Sequence, residues 1–355
     1  MDSNHDFSHF TIAVIGLGLM GGSFAKRFKA IGSRVIGINR TASVAQEALR
    51  MGIVDSISEE DLKDADIVIF CTPEKGTMAF IEKKIGLLKK DAVLTDIAGV
   101  KNDFAEKLQE KLPKGMDFIS GHPMCGHEGA GLSQSDGDIF LGANYVIIPQ
   151  AGNSASHITL IEEMARALGC RHVPKVTADA HDRAIAYTSD LTHVIATALI
   201  QSKSYNKETK YFMGGSFRDE TRVADINGRL WTSLFLSNRE KLLDEIDRFS
   251  EKLQVLRDAI EREDSEEMEA FLNEQADEGG NSCMKTVKVD LGSDSYRIEI
   301  GRGLLSSVGE KLRQLTKAEK IAVVTDDHVR RIYGERIREI LKGAGFDVKV
   351  IAIPA

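Results

Sequence analysis

Long apolar runs are missing from this 355-residue sequence, and no stretch approaches the ~18–20 consecutive apolar residues of a membrane span. The opening MDSNHDFSHF has neither a basic flank nor an apolar stretch, so no secretory signal is expected and the protein reads as cytoplasmic. Cysteine is scarce. Cys71, Cys125, Cys170 and Cys283 are scattered without a CxxC pair, which argues for reduced thiols rather than a disulfide framework. Basic residues are outnumbered 46 to 54, for a formal charge of −8. A general nucleic-acid binder would show the opposite balance, so an anionic ligand must be met by a few placed cations. What is present is ordinary globular composition, 42% hydrophobic and 28% charged, on a chain long enough for two or three domains.

The β-branched run Thr11 to Ile15 suits a buried parallel strand and leads into Gly16-x-Gly18-x-x-Gly21 and a helix, roughly Met20 to Ala30. Gly16 suits the tight turn, Gly18 a close approach to a pyrophosphate, and Gly21 close helix–strand packing. The helix N-terminus would stabilise the negative charge. A lone glycine motif is weak, but strand, glycines and helix come here in the required order, with RVIGI (34–38) as a second strand. After that strand, where an acid usually holds the ribose of NAD, stand Asn39, Arg40 and Thr41. Arg40 can pair with a 2′-phosphate and Thr41 can donate to it, which favours NADP, with NAD possible. Further strands are expected at 66–73, 92–99 and 117–120, with NYVIIP (144–149) closing the sheet. Helices are expected near 77–88 and from about 101. This is an α/β, Rossmann-type dinucleotide-binding domain over residues 1–150. Its candidate cofactor contacts are Gly16, Leu17, Gly18, Leu19, Met20, Gly21, Asn39, Arg40, Thr41, Cys71, Thr72, Pro73 and Met124.

Residues 151–283 turn helical, apart from a short strand near 172–176. ADAHDRAIAYTSDLTHVIATALIQS reads as one long, largely apolar helix, which must be buried on most sides and favours a dimer. Helical patterns also fill 221–243 and 244–275. Between these helices GGSFRDETRVADINGRLW is loop-like, with Arg218, Arg222 and Arg229 near the sole tryptophan, Trp231. An arginine cluster is often a solvated face, yet flanking glycines and an indole also suit an anion-binding loop.

GHPMCGHEGAG (121–131) begins beyond the end of a sheet strand, where ligands collect in open α/β folds. Its residues allow a zinc site (His122, Cys125, His127, Glu128), a catalytic acid/base or a plain turn. No distant partner group for a metal is apparent.

Together GLGLMGGS, TDIAGVK, GHPMCGHEGAG, HDRAIAYTSDLTH, GGSFRDETRVA and LWTSLFLSNRE resemble the prephenate/arogenate dehydrogenase family over about residues 8–278. Six motifs in order are far more specific than any one. The resemblance implies an all-helical dimerisation domain and a homodimer. It also implies oxidative decarboxylation of prephenate with hydride transfer to NADP, or of arogenate giving tyrosine directly. It makes His122 the acceptor of the ring hydroxyl's proton and Arg222 the partner of the ring carboxylate. His193 would contact the pyruvyl side chain, with supporting roles for Glu128, Gly215, Asp219 and Trp231. No metal is needed, and the glycines of GHPMCGHEGAG would let backbone crowd the nicotinamide.

Three positions depart from the family pattern. Gly99 replaces a serine expected near the substrate, Asp190 replaces the first histidine of an SHLPH-like helix, and Gly228 replaces a proline. A carboxylate at 190 could face the ammonium of arogenate, or else point outward or pair along its helix. The nearest enzyme rival is a β-hydroxyacid dehydrogenase, which would need a lysine on the helix from Ala178 to Ser202, and there is none. A nucleotide-sensing module without turnover is the other alternative; His122 and Arg222, each in a matching motif, argue against it.

At Met284 the pattern restarts with paired-strand alternation, followed by a new α/β unit at KIAVVTDDHV. Residues 284–355 resemble the first part of 3-dehydroquinate synthase and stop before that family's cofactor loop and metal ligands. The segment is read as a partial α/β fragment without an active site, from a truncated fusion or a read-through, and EGGNSC (278–283) as its junction.

Overall fold

The computed structural model describes residues 5–126, 129–278, 285–289, 296–300 and 304–353. Its contacts divide the chain into Met1–Glu251 and Lys252–Ala355.

In the first unit the β-branched run forms β1 (Thr11–Ile15), and the glycine loop opens α1 (Leu19–Ile31). There follow β2 (Arg34–Ile38), α2 (Ala42–Arg50), β3 (Ile67–Phe70), α3 (Glu74–Lys84), β4 (Val93–Asp96), α4 (Phe104–Gln109) and β5 (Asp117–Phe118). The five strands form a parallel sheet in the order β2-β1-β3-β4-β5. Beyond β2 the chain adds only a parallel bridge, Ile36 to Ser56, as a stub of one more edge strand. Successive side chains point to opposite faces. Ile12, Val14, Ile67 and Ile69 therefore join a core with Phe24, Phe28 and Phe140, while Ala13, Ile15, Val68 and Phe70 join one with Ile81, Phe104 and Leu108. Both faces are covered, as a parallel sheet requires.

The expectation that 144–149 closes this sheet needs correcting. After β5 the chain continues as β6 (Ser120–Met124), which pairs antiparallel with β7 (Asn144–Ile148) in a separate two-stranded ribbon. The reason lies in Asp96, at the end of β4. Its Oδ1 accepts from the Ser120 hydroxyl and from the Gly121 amide at 3.3 Å, so a side chain takes the place of the backbone ladder. GHPM is therefore strand rather than a loop beyond one.

The helical part begins with α5 (Ala155–Ala167), and residues 172–175 make only isolated bridges to β7. The expected long helix is α6 (Ala178–Ile185), a π turn at Ala186–Asp190, and α7 (Leu191–Ile200). The stretch read as a loop is instead largely helical: α8 (Gly215–Thr221), a 3-10 turn at Arg222–Ala224, and α9 (Gly228–Ser237). Asn227 caps α9 through its side chain, 3.1 Å from the Leu230 amide, so turn-prone residues here start a helix rather than avoid one. Next comes α10 (Arg239–Glu261), within which the second unit begins, and then α11 (Ser265–Glu278) in that unit; the helix expected over 221–243 is broken at Asn238.

In the second unit, β8 (Lys285–Val289) pairs antiparallel with β9 (Tyr296–Ile300). After α12 (Leu304–Leu315), β10 (Lys320–Asp326), α13 (Asp327–Gly343) and β11 (Asp347–Ile353) make a βαβ turn with parallel strands. The Arg313 guanidinium lies 3.7 Å over the Phe346 ring and donates to the Ala344 carbonyl at 2.9 Å. No helix among the described residues is long and apolar enough to cross a membrane.

Candidate active site

The glycine loop sits where β1 and β3 end side by side. Gly16 has φ +99°, and a Cβ there would lie 2.7 Å from the Cys71 carbonyl. A Cβ on Gly21 would lie 1.8 Å from the Gly16 carbonyl, so neither position tolerates a side chain. Gly18 faces open space and caps α1 with backbone alone, which leaves first-turn N–H groups for an anion. Leu17 is buried, and its amide donates to Asn39 Oδ1 at 2.9 Å, tying this loop to the end of β2. Asn39 is thus a brace between strands. Arg40 is exposed and makes no ion pair among the described residues, and Thr41 precedes α2. Cys71, Thr72 and Pro73 follow β3, with Thr72 Oγ1 2.9 Å from Thr77 Oγ1. These groups fit a dinucleotide: a tight turn, an open glycine, free amides and a cation at the ribose end.

A cavity of about 750 Å³ is lined by Cys125, Gly126, Ser189, His193, Asn227 and Trp231, among others. His193 stacks on Trp231 with ring centroids 3.6 Å apart. Val223 also lines it, one residue after Arg222, which is exposed at the start of the 3-10 turn. Gly215 and Asp219 are exposed on α8 and are not among its walls. Glu128 and His127, and with them half of the zinc alternative, lie outside the described residues.

His122 stands on β6, with Met124 at the strand's end. A Cβ on Gly99 would come within 4.0 Å of His122 Cε1, so the TDIAGVK loop passes beside the ring. Gly121 serves packing: a Cβ there would lie 2.5 Å from the buried Tyr145 hydroxyl. That crowding, not the nicotinamide, accounts for this glycine.

Behind His122 lies a buried polar chain that the motifs did not assign. His122 Nδ1 is 2.9 Å from His181 Nε2, and His181 Nδ1 is 2.8 Å from Asp182 Oδ1. Asp182 also accepts from the amides of Lys101 at 2.8 Å and Asn102 at 2.7 Å. Burial pushes its carboxyl up, but the His181 and amide hydrogen bonds outweigh this and hold it below the ordinary range. Lys101 is fully buried and donates from Nζ to Asp96 Oδ2 at 2.9 Å and to the Gly121 carbonyl at 2.7 Å. Burial, then the Lys101 charge, drives His122 well below the usual histidine range, so at neutral pH it is an unprotonated base. The sequence signal for these partners was an adjacent His-Asp pair near the start of a helix, both buried while their charged neighbours Asp179 and Arg183 are exposed.

Asp190 neither points outward nor pairs along its helix. It is 1% exposed and accepts from Asn238 Nδ2 at 2.9 Å, and that amide also donates to the Asp182 carbonyl at 2.9 Å. Burial pushes the Asp190 carboxyl up.

Residues 24–173 match the model of the prephenate dehydrogenase nucleotide-binding domain, and 177–274 that of the prephenate dehydrogenase dimerization domain. A cyclohexadienyl dehydrogenase of Zymomonas mobilis is 32% identical over 270 residues, covering 73% of this chain and 91% of that protein. The crystal structure of a prephenate dehydrogenase from A. aeolicus, in complex with hydroxyphenyl propionate and NAD+, superposes with a TM-score of 0.69 at 28% identity. That match covers 77% of this chain and 98% of the other. Synechocystis arogenate dehydrogenase gives a TM-score of 0.66 at 28% identity, over 75% and 97%. A 3-dehydroquinate synthase of Clostridium acetobutylicum is 40% identical over 72 residues, 20% of this chain and 20% of that protein.

Proposed function

The chain belongs to the prephenate dehydrogenase family, and we propose that it oxidatively decarboxylates prephenate to 4-hydroxyphenylpyruvate with NADP as hydride acceptor, as a cytoplasmic homodimer. The observation that carries this reading is His122, a half-buried, unprotonated imidazole beside the TDIAGVK loop, on the strand that leads to the Cys125 wall of the cavity.

Bound NADP would supply the hydride acceptor. As the C4 hydrogen leaves with its electron pair, the ring hydroxyl loses its proton to His122. Loss of CO2 from C1 returns an electron pair to the ring, and the phenol oxygen takes the proton back. Aromatisation provides much of the drive, so the protein contributes orientation and one proton acceptor. Arg222 meets the ring carboxylate, and His193 and Trp231 hold the side chain. Gly99 borders the reacting ring, and Glu128, Gly215 and Asp219 take supporting roles. Gly16, Leu17, Gly18, Leu19, Met20 and Gly21 take the pyrophosphate. Asn39, Arg40 and Thr41 take the ribose phosphate, Cys71, Thr72 and Pro73 the adenosine side, and Met124 the nicotinamide side. Arg40, exposed and without an ion pair among the described residues, supports NADP over NAD.

Steady-state turnover of prephenate and of arogenate, each with NAD and NADP, tests the reading. The highest kcat/KM is expected for prephenate with NADP. Preference for arogenate would overturn the substrate, preference for NAD the cofactor, and no turnover of either substrate the activity itself.

A further inference from the structure

We infer that His181 and Asp182 are positioning residues that hold His122 with its proton on Nδ1 and its lone pair on Nε2, ready to take up the substrate's hydroxyl proton. The proton function rests on the reading of His122 as the base, whereas the tautomer rests on the hydrogen-bond chain with a single proton on the His181 ring.

The chain of donors begins at Asp182. A carboxylate only accepts, so the 2.8 Å contact requires His181 Nδ1 to carry a proton. The same carboxylate is loaded by the Lys101 and Asn102 amides, which fix its plane from a different element, the loop after β4. With that one ring proton on Nδ1, His181 keeps a lone pair on Nε2, and the 2.9 Å contact then takes its proton from His122 Nδ1. That leaves His122 Nε2 as the basic nitrogen, and it makes no hydrogen bond among the described residues. An isolated imidazole would not be held in this form.

The surroundings make the pairing exacting. His181 is 3% exposed and Asp182 is fully buried, so water does not compete for these bonds. The cation that faces His122 is Lys101, from the loop after β4, while His181, from α6, meets it at Nδ1. Lys101 is itself committed to Asp96 and to the Gly121 carbonyl. When His122 takes a proton on Nε2, the Nδ1–H bond to His181 strengthens, and the Asp182 anion lies two bonds further along. Asp182 need not be protonated for this, and the proton stays on His122 until the phenol oxygen reclaims it.

The test uses the full chain in two arms. In the first, 15N NMR of histidine-labelled protein near pH 8 assigns the His122 tautomer without substrate. The expected result is a protonated Nδ1 and a bare Nε2 in the unaltered protein. In His181→Phe, which keeps an aromatic ring but no acceptor, the Nε2–H form should grow in. A protonated Nε2 in the unaltered protein, or no change in the variant, overturns the inference, whatever the substrate proves to be. In the second arm, His181→Phe should lower kcat at least hundredfold with KM for substrate and cofactor within threefold. His181→Gln, whose amide oxygen can still accept from Nδ1, should recover at least tenfold of that loss. The acid limb of kcat/KM should move to lower pH in His181→Phe, since the imidazolium loses its support. A variant that loses turnover without moving that limb, or raises all KM values alike, would show a merely structural role. If the unaltered protein turns over neither prephenate nor arogenate, the proposed activity fails while the NMR arm still decides the tautomer. Should His181→Phe not fold, His181→Gln carries both arms, expected to keep the tautomer with a smaller loss of kcat.

Discussion

His193 and Trp231 lie face to face, with ring centroids 3.6 Å apart and planes inclined by 28°, while His193 Nδ1 donates to the Ser189 carbonyl at 2.8 Å. The two contacts fix the imidazole from opposite directions: the indole sets its plane, and the π turn that carries Ser189 sets its rotation about the ring. The residue sits in the cavity wall with Nε2 as its remaining polar atom.

Loss of the indole should therefore loosen substrate binding more than chemistry. A ring pair is worth about 0.5–1.5 kcal/mol beyond burial, so Trp231→Leu should raise the substrate KM about two- to twelvefold. Trp231→Phe should restore most of it, and the cofactor KM should stay put. Equal changes in both constants would mean that α9 had shifted as a whole.

The depressed His122 value sets the direction of the pH response. The neutral ring is the active form, so kcat/KM should hold as pH falls to about 6.5, the ordinary histidine value, and drop only below it. The stability sign agrees: a histidine buried neutral favours folding above its unfolded value, and that contribution is lost as pH falls. His122→Asn should remove the acid limb and lower kcat about 10²–10⁴-fold, with cofactor affinity unchanged by fluorescence titration. Near-normal turnover would take His122 out of the mechanism.

Exposed Arg40, at the end of β2, should choose the cofactor. A charge-assisted hydrogen bond is worth about 1.5–3 kcal/mol, or about ten- to hundredfold, so Arg40→Asp should move the NADP/NAD ratio of kcat/KM toward NAD by that factor. An unchanged ratio would place the 2′-phosphate elsewhere.

Asp190 should matter to the fold and not to substrate choice, because it is buried against Asn238. Asparagine can still accept that amide, so Asp190→Asn should keep urea stability within about 1 kcal/mol. Asp190→Ala leaves the contact unmade and should cost about 1–3 kcal/mol. The arogenate/prephenate ratio should be the same in Asp190→Asn as in the unaltered protein; a change would give Asp190 a ligand after all.

Residues 284–355 should be dispensable for turnover. Each residue assigned to the reaction precedes Glu251, the end of the first compact unit. Truncation after Cys283 should leave kcat/KM within a few-fold and raise solubility, since β10 and β11 carry exposed Val324, Ile351 and Ile353. Loss of dimerisation in gel filtration would make the tail an integrated part of the enzyme.

What the sequence determined by itself is what local physics enforces. A β-branched run, a glycine that must take φ +99°, and an amphipathic helix specify β1, the loop and α1 almost residue by residue. His122 could be singled out as a candidate because GHPM follows a short apolar strand and resembles a family motif. The partners of that histidine were not legible. His181 lies 59 residues away on another element, and its bond to His122 exists only because the loop after β4 offers two amides to Asp182. The fate of Asp190 was equally hidden: burial beside Asn238, 48 residues later, decided it. Periodicity reports which face of an element is apolar, and it is carried by neighbours in the chain. Which buried polar group meets which is decided when distant elements close over both and exclude water, and that requires the tertiary structure.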